Sequence, residues 1–268
     1  MELSFQQKME IYELGYTVLR NAVPRIMVDQ ALRAINHSLG EGLPKEEIQI
    51  LRSRSYCQEL TRTPVATDLI NKTPVLEMAE SAVGKGNMQS KVGGVQIALR
   101  FPSMTDAPPK LGCHLDGMYS PHNGVPKDGK FHNFTMLAVV LLSKVDRPYA
   151  GNFTVWPRTH RIFEEYFREH GPESLLNEGM PKIDYPEPVM LEGEPGDVVL
   201  THYQVAHTAA PNLSPHVRYA VITRLNHVRR TDGGNYGDVM TDIWLEWDGI
   251  RAILPEQVAR KPELVLHP

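Results

Sequence analysis

The stretch "VGGVQIALRF", residues 92–101, decides the class of fold. Val95, Ile97, Leu99 and Phe101 alternate with Gln96, Ala98 and Arg100, the period of two that a strand imposes on its two faces. One face is apolar and the other polar, so the stretch reads as a half-buried strand. Upstream of it the grammar is helical. "SFQQKMEIYELG" spaces Phe5, Met9, Tyr12 and Leu14 along a helix, with Ser4 as N-cap and Gly15 as stop. A short strand, "YTVLRNAV", follows. "PRIMVDQALRAINHSLG" then predicts a helix from Pro24 to Gly40, and "TPVLEMAESAVG" another from Thr73 as cap to Gly84. Downstream the strands dominate. "FTMLAVVLLS" is apolar throughout and reads as a core strand. "GDVVLTHYQVAH" and "HVRYAVITRLNH" are strand-like, with the loop "TAAPNLSP" between them, and "MTDIWLEWDG" reads as a last strand. One helix, near "RIFEEYFREHG", interrupts them. The expectation is a single domain over residues 1–268, mainly β with α: a mostly helical layer at 1–90 on a β-sandwich or barrel at 91–250.

Composition narrows the function. A net charge of -4 without a basic stripe argues against nucleic acid and membrane surfaces as partners, and leaves a small-molecule substrate. The acidic N-terminus lacks the layout of a signal peptide. Two cysteines, Cys57 and Cys113, build neither a disulfide framework nor a cysteine zinc finger, so a reduced, cytoplasmic setting is expected.

The chemistry-bearing stretch is "CHLDGMY", residues 113–119. On an extended strand His114 and Asp116 share a face, and Gly117 ends the strand. An imidazole and a carboxylate so placed are two-thirds of a facial two-histidine, one-carboxylate metal site. A solvated pair at a strand end is the plainer alternative, since His-x-Asp arises readily by chance among eleven histidines. The third ligand must be distant in sequence. His207 is the candidate and His202 competes with it. On one uninterrupted strand Thr201, Tyr203, Val205 and His207 share a face, leaving His202 on the other as a core or supporting residue. Arg218, eleven residues beyond His207, suits a dicarboxylate cosubstrate, because guanidinium grips carboxylate through two parallel hydrogen bonds; a surface arginine, one of several in this strand, is the plainer alternative. Arg224 lies close by in the same strand. The long Pro- and Gly-containing stretch 119–133 reads either as a surface excursion or as a lid, with His122, Lys130 or His132 available to a substrate.

In order and spacing these elements resemble the phytanoyl-CoA dioxygenase family of iron(II)- and 2-oxoglutarate-dependent oxygenases. The likeness runs from Gln96 to Arg224, with a weaker echo in "LGYTVLRNAVP". It rests on "HLD" at 114–116, "GNFTVWPRTH" at 151–160 and "GDVVLTHYQVAHTAAPN" at 196–212 leading to "HVR" at 216–218. The resemblance implies a double-stranded β-helix, or jelly roll, with N-terminal helices packed on it. It implies iron ligands His114, Asp116 and His207, and Arg218 on the far carboxylate of 2-oxoglutarate. Gln96 falls where relatives often face the cosubstrate, and Thr154 and Trp156 on a strand that lines their pocket; a surface amide and plain core packing are the respective alternatives. The implied reaction uses O2 to hydroxylate an unactivated C–H bond and releases succinate and CO2. Asp116 stands where halogenating relatives carry a small residue. Two departures concern the substrate rather than the chemistry: "PRTH" where relatives often have Pro-Gly-Ser-His, and Gly151-Asn152 where they often have Asn-Gly. The rival readings are a hydrolase or cupin-type dioxygenase with the same ligands but no 2-oxoglutarate, and a jelly-roll binding protein without turnover.

Overall fold

The computed structural model describes residues 1–105, 107–230 and 235–255. Among these residues eight strands form two antiparallel sheets. β1 (Tyr16–Leu19), β6 (Val198–His202), β3 (Met136–Leu141), β8 (Arg218–Leu225) and β2 (Gln96–Arg100) lie side by side in that order. β5 (Val189–Met190), β4 (Phe153–Val155) and β7 (His207–Ala209) make the smaller sheet. Helices α1 (Phe5–Leu14), α2 (Arg25–Gly40), α3 (Ile48–Ser53), α4 (Pro64–Asn71) and α5 (Val75–Val83) precede the β-rich part, and α6 (Thr159–His170) interrupts it. This is the arrangement expected of a jelly roll with N-terminal helices.

The continuous apolar run of β3 has a direct cause: both faces of the strand are buried. Met136, Ala138 and Val140 pack into the helical layer with Val198, Leu200 and residues of α2, α4 and α5. Leu137, Val139 and Leu141 face the other way, into a second core with Phe153, Val155 and Phe163. β2 follows the same division. Ile97 and Leu99 join the helical side, so Gln96, Ala98 and Arg100 point between the two sheets. The polar face of the opening stretch is therefore interior, lining a cavity rather than meeting bulk water.

Local chemistry fixes the ends. Ser4 caps α1 in a reciprocal capping box with Gln7, and Gly15 closes it at φ +88°. The "EPGD" turn before β6 is tied to the N-terminal strand. Asp197 accepts from the Arg20 guanidinium and from the Asn21 and Glu194 amides, and a Cβ on Gly196 would lie 2.4 Å from the Val23 carbonyl oxygen. Three expectations need correction. "MTDIWLEWDG" is not a strand. Asp238–Thr241 and Asp248–Arg251 are single helical turns that bury Met240 and Ile250, and the link between them buries Ile243 and Trp247. Thr73 does not cap α5; Pro74 takes that position, and the Thr73 hydroxyl donates back to the Leu69 carbonyl. "GDVVLTHYQVAH" is not one strand but two, β6 and β7, which belong to different sheets.

Candidate metal centre and cosubstrate pocket

The break between β6 and β7 builds the centre. After His202 the chain turns through residues 203–206, crosses from the large sheet to the small one and re-enters as β7 at His207. There His207 and His114 exchange both backbone hydrogen bonds, at 3.0 and 3.1 Å, an isolated bridge that sets their imidazoles 4.7 Å apart. Leu115 is buried, so His114 and Asp116 turn together to the cavity. Gly117, at φ +84°, then bends the chain away. A Cβ there would lie 2.3 Å from the His132 carbonyl oxygen.

The donor atoms converge. His114 Nε2 lies 3.3 Å and His207 Nε2 3.6 Å from Asp116 Oδ1. All three ligand atoms fall within 4.8 Å of one another. His207 Nδ1 sits 3.0 Å from the Val205 carbonyl, which can only accept. That contact fixes the proton on Nδ1 and leaves the Nε2 lone pair facing Asp116, the tautomer a metal ligand needs. The other oxygen of Asp116 accepts from the Arg224 guanidinium at 2.5 Å, and Arg224 also donates to the Gln96 amide oxygen at 3.2 Å. Burial alone would raise the Asp116 pKa. Arg224, with His114 and His207, outweighs burial and holds the carboxyl well below its ordinary value, so it is ionised. Burial and the neighbouring His207 keep the His114 imidazole below its usual pKa, against the pull of Asp116. One carboxylate oxygen and two imidazole nitrogens of this geometry are a donor set for a divalent transition metal with open positions; the residues fit such an ion.

The cavity on which they open has a volume of about 720 Å³. Leu137, Val139, Leu141, Phe153 and Ile222 form an apolar wall. Arg218 lies in it, buried, with Nε donating to the Gly151 carbonyl at 2.7 Å and one Nη to the Ala98 carbonyl at 2.9 Å. It has no carboxylate partner among the described residues. Burial first, then Arg100 and Arg52, push its pKa down to about 9, so it stays charged at neutral pH. A buried cation without a counter-ion is a costly arrangement that an incoming carboxylate relieves. Gly151, at φ +76°, makes room for it: a Cβ there would meet the Cβ atoms of both Arg100 and Arg218 at 3.0 Å.

Among the other sequence candidates, Gln96 lines the cavity and is held by Arg224. Thr154 and Trp156 do not line it. The Thr154 hydroxyl donates to the Asn152 carbonyl, and Trp156 packs in the second core beside Phe163 and Val205. His202 is buried away from the cavity. Of His122, Lys130 and His132, only His132 reaches the lining, where Tyr119, Ser120, Asn123 and Val125 join it. That segment is tied down: Arg54 donates to the His122 carbonyl, and the Asn123 side chain bonds the Met118 carbonyl and the Ser120 and Val125 amides. Sequence reading passed over Arg52 and Arg100, both on the lining, and noted Arg224 only as a neighbour of Arg218. The available signal was the polar face of β2, once its antiparallel register places Arg100 opposite Arg218.

A family model for phytanoyl-CoA dioxygenase matches residues 11–220, most of the chain. The chain belongs to the phytanoyl-CoA dioxygenase family. Members of this family are iron(II)- and 2-oxoglutarate-dependent oxygenases. Similar solved structures include the 2-oxoglutarate-dependent carbocyclase SnoK of nogalamycin biosynthesis, at 18% identity and TM-score 0.54 over 83% of each chain. The iron-bound form of EctD from S. alaskensis is 18% identical at TM-score 0.55, covering 85% of this chain and 78% of that one. HygX from Streptomyces hygroscopicus, solved with nickel and 2-oxoglutarate, is 18% identical at TM-score 0.52, covering 84% and 88%. At such identities they show the shared fold. No curated protein sequence matches. Arg158, at the start of α6, has φ +69°, a left-handed conformation that glycine adopts freely and that a non-glycine residue occupies at a cost of about 1–2 kcal/mol. No helix among the described residues is long and apolar enough to cross a membrane.

Proposed function

We propose that the protein is a 2-oxoglutarate-dependent iron(II) dioxygenase that hydroxylates an unactivated C–H bond of a small organic substrate. The observation that carries this reading is the joint presence, on one cavity, of three converging ligand atoms and a buried guanidinium without a counter-ion. His114 Nε2, His207 Nε2 and Asp116 Oδ1 would hold the ion. When bound there, the ion would supply oxygen activation coupled to decarboxylation of the diacid, with succinate and CO2 as products. The protein's part is orientation and exclusion of water. Arg218 anchors the far carboxylate of 2-oxoglutarate, and its two backbone acceptors keep the guanidinium from swinging when the carboxylate arrives. Arg224 holds Asp116 Oδ2, which leaves Oδ1 as the oxygen that would be offered to an ion. The apolar wall keeps water from the reacting C–H bond.

Anaerobic addition of iron(II) and 2-oxoglutarate should produce a visible charge-transfer band. The Asp116→Ala variant should lose it. Arg218→Gln should raise the 2-oxoglutarate concentration for half-saturation roughly thirtyfold or more, since breaking a buried charged hydrogen-bonded pair costs about 2–5 kcal/mol. Absence of the band in the native protein would favour a metal-dependent reaction without 2-oxoglutarate. Substrate-stimulated succinate release across a metabolite panel, with label from ¹⁸O₂ recovered in a product alcohol, tests hydroxylation itself; product without label would point to desaturation or another oxidation.

A further inference from the structure

The chain carries a net charge of -4, yet five arginines line this cavity against one carboxylate, Asp116, among the described residues. Arg224 is paired with that carboxylate. Arg52, Arg54, Arg100 and Arg218 make no ion pair among the described residues. The cofactors of the proposed reaction do not remove the surplus: a divalent ion and a 2-oxoglutarate dianion cancel each other. A concave, low-dielectric wall with this excess concentrates anions from solution.

The geometry divides the arginines into two groups. Arg100 and Arg218 are register partners on β2 and β8, their Cβ atoms flanking Gly151. Their heads engage different backbone. Arg218 is fixed on the Gly151 and Ala98 carbonyls. Among the described residues Arg100 makes one hydrogen bond, to the Leu99 carbonyl, and its buried Nε has no partner. Arg52, exposed on α3, is the charge that most affects Arg100 after burial. Buried N–H groups are almost always satisfied, so an unpartnered guanidinium N–H beside a second free guanidinium marks a place for an acceptor.

We propose that Arg52 and Arg100 form a second anion subsite, distinct from Arg218, which binds an oxyanion on the substrate, a carboxylate or a phosphate. The assignment rests on the dioxygenase reading and gives its substrate a chemical class: a small acid whose oxidised carbon lies over the apolar wall while its anionic end is held at the β2–α3 corner.

The probe is inorganic phosphate, titrated calorimetrically into protein loaded anaerobically with iron(II) and 2-oxoglutarate, with the visible band read in parallel. Phosphate should bind with the band retained. Arg52→Gln and Arg100→Gln should each weaken phosphate at least about tenfold while shifting 2-oxoglutarate half-saturation less than about threefold. Arg52 is exposed, so its variant reports even if the Arg100 variant fails to fold. The proposal is overturned if phosphate does not bind, if both variants bind it like the native protein, or if phosphate displaces 2-oxoglutarate. It is equally overturned if Arg100→Gln impairs 2-oxoglutarate as much as Arg218→Gln does. A native protein without the band, but with phosphate binding sensitive to Arg52, would sink the cosubstrate reading and keep the anion subsite.

Discussion

Two pairs of histidines lie close together in this protein, and they have opposite fates. His114 and His207 turn their Nε2 atoms to one carboxylate oxygen at the wall of an open cavity. His160 and His202 sit 5.6 Å apart in the core, among Trp244 and Trp247. His202 stacks on Trp247, donates from Nε2 to the Ile243 carbonyl at 2.9 Å and accepts the Gln204 amide on Nδ1 at 3.0 Å. His160 donates to the Tyr12 carbonyl. Neither core ring is hydrogen-bonded to a carboxylate. An imidazole placed like that of His207, with one nitrogen fixed by backbone and the other open to a cavity, is disposed as a ligand. With both nitrogens engaged by backbone, as in His202, the ring is a structural wedge. Exchanging the perturbations tests this most severely. Asp116→Ala should lose iron(II) binding by well over the ~10–100-fold that supporting residues contribute, with little loss of stability. His202→Ala should do the reverse, costing about 2–4 kcal/mol of unfolding free energy as its aromatic cage empties, with metal affinity retained. Denaturation and metal titration of both variants decide it; a His202 variant that loses metal would erase the distinction.

The same contrast has a pH dependence. Burial lowers the His202 pKa to about 4, against the opposing pull of the Ile243 carbonyl and Glu246, and His160 is likewise held well below its ordinary value by burial and by His202. Between pH 6.5 and about 4 the unfolded chain therefore binds a proton at His202 that the folded chain does not. Stability from the neutral ring is complete above pH 6.5 and is lost as the pH falls toward 4, by roughly 3 kcal/mol at most. Unfolding free energies at pH 7 and pH 5 should differ less in a His202→Gln variant than in the native chain. Equal differences would mean that the slope arises elsewhere.

How much of this was legible depended on whether the signal was local. The strands β2, β3 and β8 showed as period-two or continuous apolar runs because each face meets a core or a cavity. His114 and Asp116 stood out for the same reason, two positions apart with an apolar spacer. His207 reaches Asp116 by a route the pattern did not contain. Parity along one strand set it opposite His202, whereas the chain actually leaves one sheet for another between them. Thr154 and Trp156 were plausible as lining because alternation tells which residues share a face, not which face meets the cavity. Arg100 was invisible for the converse reason. An arginine on the polar face of a strand reads as solvated until pairing with β8 turns that face inward. The segment 240–249 alternates Ile243, Leu245 and Trp247, yet turns between two single-turn helices bury Ile243 and Trp247 in the core; short apolar runs do not distinguish strand from helix or turn.

The smallest expected effect concerns what separates a carboxylate that binds metal from one that merely pairs with histidine. Asp116 offers Oδ1 to the imidazoles because Oδ2 is occupied by Arg224, itself steadied by the Gln96 amide and by the face of Phe134, 5.7 Å from its guanidinium carbon. Without that guanidinium both oxygens are free, and the carboxylate can rotate toward two-oxygen coordination or toward water. Arg224 is partly exposed, so its pairing is screened and its contribution is modest. Arg224→Gln should weaken iron(II) binding by about tenfold, the lower end for a residue that orients a ligand. Arg224→Lys should recover only part of the loss, since a single ammonium cannot bridge Gln96 and Asp116 as the planar fork does. Iron(II) titration followed by the 2-oxoglutarate band measures both. If the glutamine and lysine variants bind alike, the charge near Asp116 matters less than the shape that holds it; if neither differs from the native protein, the two imidazoles and Oδ1 are held by the backbone bridge between His114 and His207 alone.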